Sequence, residues 1–162
     1  MLDARAQAVL DVWFGAPDST QYGHARKVWF KKDARFDAML DERFGAMIDE
    51  ALEGRLASWS ATPLGALALI VLLDQFTRNC FRNTPRAFAG DKEALKLART
   101  LVDTRDELTL PTIHYRVFVF MPFEHDETLA SQHESVRLHQ TLFDETGDRD
   151  IEDRLKYAHS HA

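Results

Sequence analysis

Asp74, Gln75, Arg78, Asn79 and Arg82 sit in the stretch LLDQFTRNCFR, residues 72–82, where the apolar run LGALALIVLL at 64–73 gives out. On a helix advancing roughly 100° per residue, these five side chains share one arc of about 140°. Leu67 and Val71 occupy that arc one turn earlier, so the polar groups face either the protein interior or the floor of a cleft. Arg78 and Arg82 carry the planar N–H fork that holds a carboxylate or phosphate, and Asp74 and Asn79 can orient them. The same residues also make structural sense. Asp74 and Arg78 are spaced as an i, i+4 ion pair, while Gln75, Asn79 and Arg82 can hydrogen-bond the ends of neighbouring helices.

A second cluster is MPFEHDETLASQHE, residues 121–134. Pro122 marks a helix start, which puts Glu124, Asp126 and Glu127 in a first turn, where the helix dipole favours acids. His125 shares a wheel face with Leu129, Gln132, His133, Val136 and Gln140. Near a helix N-terminus a neutral His125 can act as a general base, oriented by Glu127 or Asp126, or it can be a hydrogen-bonded core residue. No metal site is expected. His133 and His139 are six residues apart, HExxH and Glu-x-x-His spacings are missing, and His159 with His161 forms only a terminal His-x-His. No cofactor is expected either, because GxGxxG, GxxxxGK and GxSxG are all absent.

Helices must position these groups. Residues 2–14 carry Val9, Leu10, Val12, Trp13 and Phe14 inward and stop at Gly15 and Pro17. From 33 to 55, Phe36, Met39, Leu40, Phe44, Met47, Ile48, Ala51 and Leu52 recur at helical steps until Gly54. Thr62 followed by Pro63 is an N-cap with proline at the first position, starting a helix to about 82 that Asn83, Thr84 and Pro85 end. A fourth helix fits 86–103. LPTIHYRVFVFMPF at 110–123 has strand propensity, but an isolated strand would leave its backbone unpaired, so it reads as a buried helix. A sixth helix runs over 124–146, closing at Gly147, and a seventh begins near Asp150.

The chain has 162 residues, 45% of them hydrophobic, and this suits one globular domain. Seven Gly and five Pro are too few for a turn-rich β fold. A formal charge of −6 argues against a general nucleic-acid binder. The one basic stretch, HARKVWFKKD, reads as a solvated segment whose Trp29 and Phe30 anchor a long connection to the core. Cys80 is the only cysteine, which excludes an intrachain disulfide and fits a reducing cytoplasm. Charges at Asp3, Arg5 and Asp11 do not suit a signal peptide, and the longest apolar run is about half a membrane span.

Four segments together, WFGAPD at 13–18, WFKKDARFD at 29–37, LLDQFTRNCFRNTPRAFAGD at 72–91 and PFEHDE with Gln132, resemble the bacterial family known as domain of unknown function 924. The resemblance implies an all-helical fold similar to tetratricopeptide-repeat superhelices and no established activity. It marks Asp74, Gln75, Arg78, Asn79, Arg82, Asp91, His125, Glu127 and Gln132. Thr77 stands where the family usually has proline, which implies a smoother helix there. Glu124 and Asp126 replace the usual Met and Ser, making the surroundings of His125 more acidic. Similar chains usually continue into an FGR-x-P-x-R-N segment, so the chain is expected to be truncated in or after its last helix.

The sequence thus reads as one all-α domain over 1–162, an antiparallel array of about seven helices with a tetratricopeptide-like superhelix as its resemblance. The first functional expectation is a cytoplasmic binding module with a polar cleft for an anionic small molecule or peptide end, built from Asp74, Gln75, Arg78, Asn79, Arg82 and Gln132. Nucleic acid and membrane are not expected partners. The second is a hydrolase-like enzyme using a His125–Glu127 acid–base pair and the two arginines. The third is that the charged clusters only knit helices together.

Overall fold

The structure, a computed structural model, describes residues 2–161 and is all helical. Helix α1, Ala4–Phe14, begins where the Asp3 carboxylate accepts the Arg5 N–H, and it turns out at Gly15, whose φ of +89° favours glycine. Helix α2, Ala34–Leu52, is capped by Asp33, which accepts from the Arg35 and Phe36 N–H groups. The Thr62 hydroxyl accepts the Gly65 N–H and Pro63 opens α3, Pro63–Ile70, as the sequence predicts.

The chain stays helical from 63 to 80, but not as a plain α-helix. Val71–Phe76 forms a π-helical segment before α4, Thr77–Cys80. Its wider turn is visible where the Thr77 N–H reaches back five residues to the Leu72 carbonyl. The Thr77 hydroxyl donates to the Leu73 carbonyl at 2.9 Å, a bond that proline could not make. The smoother helix implied by Thr77 is therefore only half right, since the helix continues but does so through a widened turn.

The fourth helix starts later than expected. Pro85–Phe88 is a 3₁₀ turn, and α5 runs Asp91–Asp103. Gly90 explains this start. Its backbone presses on the π segment so closely that a Cβ would collide with the Leu73 carbonyl, and this contact sets Asp91 beside Arg78.

LPTIHYRVFVFMPF is helical: α6 runs Ile113–His125, capped by the Thr112 hydroxyl, which accepts from Tyr115. Pro122 lies inside its last turn, where it costs one backbone hydrogen bond, and does not start a new helix. The sixth predicted helix is corrected accordingly. The Thr128 hydroxyl caps α7, Leu129–Thr146, which ends at Gly147 with φ +62°. Helix α8 is Arg149–His161. With the continuous 63–80 rod counted once, there are seven long helices among the described residues.

Helix α3 packs against α1, α5 and α6, and from there α6 packs on α7 and α7 on α8. At the centre Trp13 meets Phe118 and Phe76 edge-on, with ring centroids 5.5 and 5.8 Å apart. The basic connection after α1 is tied to this core. The Trp29 indole N–H and the Arg26 guanidinium both donate to the Trp13 carbonyl at the end of α1. That tether places Phe30, Lys31 and Lys32 over α4 and α6. No helix among the described residues is long and apolar enough to cross a membrane.

Candidate functional site

The polar arc on the 63–80 rod is built outward from Asp74. Its side chain is completely buried in the π segment, where a bare carboxylate would be costly. Three donors meet that need. His125 Nδ1 lies 2.8 Å from Asp74 Oδ1, the Gln75 amide donates to Oδ2 at 2.7 Å, and Arg78 Nη1 lies 3.3 Å from Oδ1. Burial by itself raises the Asp74 carboxyl. The charge and hydrogen bond of His125, then Arg78 and Gln75, outweigh it and hold the group below its ordinary value. Burial likewise acts to lower His125, and the charge and hydrogen bond of Asp74 overcome it, holding the imidazolium above its ordinary 6.5. The position of His125 as the last residue of α6 suits a cation, because carbonyls converge there.

This geometry corrects the sequence reading of the histidine. His125 sits at a helix C-terminus rather than in a first turn, and its partner is Asp74, not Glu127 or Asp126. Glu127 is exposed in the turn between α6 and α7. Gln132 is buried one turn into α7, where its amide donates to the carbonyls of Glu124 and Asp126 and so satisfies the frayed end of α6. Neither Glu127 nor Gln132 reaches the cleft described below.

The two arginines already have carboxylate partners. Arg78 makes a two-pronged pair with Asp91, at 2.8 and 3.0 Å, and donates to the Asp74 carbonyl at 2.7 Å. Its charge is favoured by Asp91 and Asp74 despite burial. Arg82 donates through Nε to Asp37 Oδ2 at 2.8 Å, and the Asn79 amide donates to the other oxygen of Asp37 at 2.9 Å. Asp91 was marked by the family resemblance. Asp37 was missed, although it closes the quoted segment WFKKDARFD; its position in the first turn of α2 gave no hint of a partner more than 40 residues away.

Above this network lies a cleft of about 280 Å³. The 63–80 rod and its exit contribute Gln75, Arg78, Asn79 and Arg82; α6 contributes Phe118, Met121, Glu124 and His125; the tethered connection supplies Val28, Trp29, Phe30, Lys31 and Lys32; and α8 supplies Arg154 and Tyr157. Both sequence clusters therefore meet in one place. Five Lys or Arg residues and one acid, Glu124, line the cleft in a chain whose formal charge is −6; Arg78 and Arg82 are already paired with Asp74, Asp91 and Asp37, so the basic character of the cleft rests on Lys31, Lys32 and Arg154. A concave basic patch on an acidic protein focuses the field for an anion.

An all-helical protein with a buried carboxylate–imidazolium pair beneath a basic cleft is thus the class defined by fold and site. The chain belongs to the family described as bacterial protein of unknown function (DUF924), whose model matches residues 9–162. It is similar to the solved structure of a protein of unknown function, ATU0120, from Agrobacterium tumefaciens. The two are 32% identical with a TM-score of 0.80, over 98% of this chain and 80% of that one. A search of curated proteins gave no match.

Proposed function

We propose that this chain is a binding protein whose cleft takes the anionic group of a small molecule or a peptide end. The observation that carries the reading is the pairing of His125 with the buried Asp74 at the cleft wall. Because Asp74 favours the protonated imidazole, His125 is biased toward offering the cleft a positive charge rather than the free lone pair that a general base needs. Arg78, Arg82 and Asn79 are held rigid by Asp91 and Asp37, so an arriving anion meets donors that have already lost their conformational freedom. The helices stacked around the cleft suit a tetratricopeptide-like binding scaffold, and a lone Cys80 suits the cytoplasm.

The test is urea unfolding of the full chain with rising inorganic phosphate at constant ionic strength, chloride serving as the control. Phosphate at ten times its dissociation constant should add about 1.4 kcal/mol, and Arg82→Gln should reduce that gain. Stabilisation no greater than chloride gives would overturn the reading.

One observation favours a second reading, in which His125 is a proton donor. A histidine held by a buried carboxylate on one nitrogen can release a proton from the other to a leaving group. Turnover of an aryl phosphate or ester that disappears in His125→Gln would establish it, and binding without turnover would exclude it.

A further inference from the structure

The cleft lining is of two chemical kinds: His125, Arg78 and Arg82 on the one hand, and the aromatic side chains Trp29, Phe30, Phe118 and Tyr157 on the other. The Phe30 ring is 55% exposed, a large unprotected apolar face for a surface loop. The Arg154 guanidinium lies over Phe30 at 4.5 Å and over Tyr157 at 4.9 Å, making a layered stack at the mouth of the cleft. Behind it Trp29 meets Phe118 at 5.0 Å and stands perpendicular to Phe30 at 6.0 Å. A second cavity of about 190 Å³ shares Trp29, Phe30, Phe118 and Arg154 with the first and is lined also by Val117, His114, Asp150 and Asp153.

Flat surfaces of this kind discriminate by shape. A planar ring lies in contact with a phenyl face and a guanidinium plane over its whole area, whereas a puckered or branched aliphatic group touches them at a few atoms. A basic pole alone would be served by any small anion and needs no exposed phenylalanine beside it. We propose that the anion bound here carries a planar aromatic ring, as in an aryl phosphate, an aryl carboxylate or a peptide end with an aromatic side chain, with the ring stacked on the exposed Phe30 and the charge directed to His125 and Arg82. This rests on the anion-binding reading above and specifies its ligand.

The experiment is amide-correlated NMR titration of the full chain, followed at His125, Arg82, Phe30 and Arg154. The ring-bearing probes are phenyl phosphate, benzoate and N-acetylphenylalanine, the last standing for a peptide end. Inorganic phosphate and acetate carry the charge alone, cyclohexanecarboxylate replaces the flat ring by a puckered one, and benzyl alcohol carries the ring without charge. At least one ring-bearing anion should bind about tenfold or more tightly than its ring-free counterpart and than cyclohexanecarboxylate. Phe30→Leu, which keeps apolar bulk but loses the flat face, should bring that ratio to about twofold or less. The ranking of phenyl phosphate, benzoate and N-acetylphenylalanine identifies the source of the anion.

Equal binding of ring-bearing and ring-free anions, or of benzoate and cyclohexanecarboxylate, would overturn the aromatic inference and leave the anion cleft standing. Absence of any anion-induced shift at His125 and Arg82, or benzyl alcohol binding as tightly as benzoate, would overturn both.

Discussion

Replacing Asp74 by asparagine removes one charge and almost no volume from the centre of the network. Asp74 is completely buried and accepts from His125, Gln75 and Arg78, so the asparagine Nδ2 must face at least one of those donors. Removing one partner of a buried ion pair costs about 3–5 kcal/mol. Arg78 keeps its two bonds to Asp91, and so the uncompensated group is His125. The cost then depends on pH. Because its folded pKa lies above the ordinary 6.5, the contribution of His125 is complete below pH 6.5 and fades as pH rises through the folded value. Because its folded pKa lies below the ordinary 3.8, the contribution of Asp74 is complete above pH 3.8 and fades as pH falls through the folded value. Asp74→Asn should therefore cost most between about pH 4 and 6.5, near the upper end of that range, and less as pH rises through the folded value of His125, since a neutral imidazole needs no carboxylate. Urea unfolding followed by circular dichroism at pH 5.5 and 8.5 gives both numbers. A variant as stable as the parent at pH 5.5, or a deficit independent of pH, would refute the ion-pair account.

Three further outcomes follow from other parts of the structure. Gly90→Ala should cost about 1–3 kcal/mol in thermal unfolding, because the added methyl meets the Leu73 backbone and pushes Asp91 away from Arg78; an unchanged midpoint would contradict that contact. His139 is fully buried with Nδ1 on the Ser135 carbonyl and Nε2 without a hydrogen-bond partner among the described residues, and burial lowers its pKa to about 4. The unfolded chain binds this proton first, so stability should fall by about 3 kcal/mol between pH 6.5 and 4, and His139→Leu should flatten that slope. The Cys80 thiol is pushed up to about 12, by burial first and then by Asp41 and Asp37. Its alkylation at pH 8 should be two to three orders of magnitude slower than that of an unfolded control, on the order of its lost thiolate fraction.

The polar arc was legible because it depends on local spacing alone. Gln75, Arg78, Asn79 and Arg82 do line one cleft, with Asp74 bonded to Gln75 and Arg78, even though the segment is π-helical, and Thr62–Pro63 and Gly147 mark true helix ends. The π segment was not legible in LLDQFT, because the backbone that packs on it, Gly90, comes from another part of the chain. The second cluster was misread at one residue. Proline opens helices but is also tolerated in a last turn, and the better start was the capping hydroxyl of Thr128. That error put His125 in a first turn with Glu127 or Asp126 to orient it, when its carboxylate comes from 51 residues away. Asp37, Arg154 and Tyr157 were out of reach for the same reason, because only packing brings α2 and α8 to the site.

The central claim is that His125 is a held cation facing an anion cleft. Its most direct test is an NMR titration of the His125 imidazole in the full chain, with and without inorganic phosphate. A held cation should titrate with a midpoint above 6.5 that rises further when phosphate binds, because the anion favours the charged ring. A midpoint at or below 6.5 that phosphate leaves unmoved would contradict it.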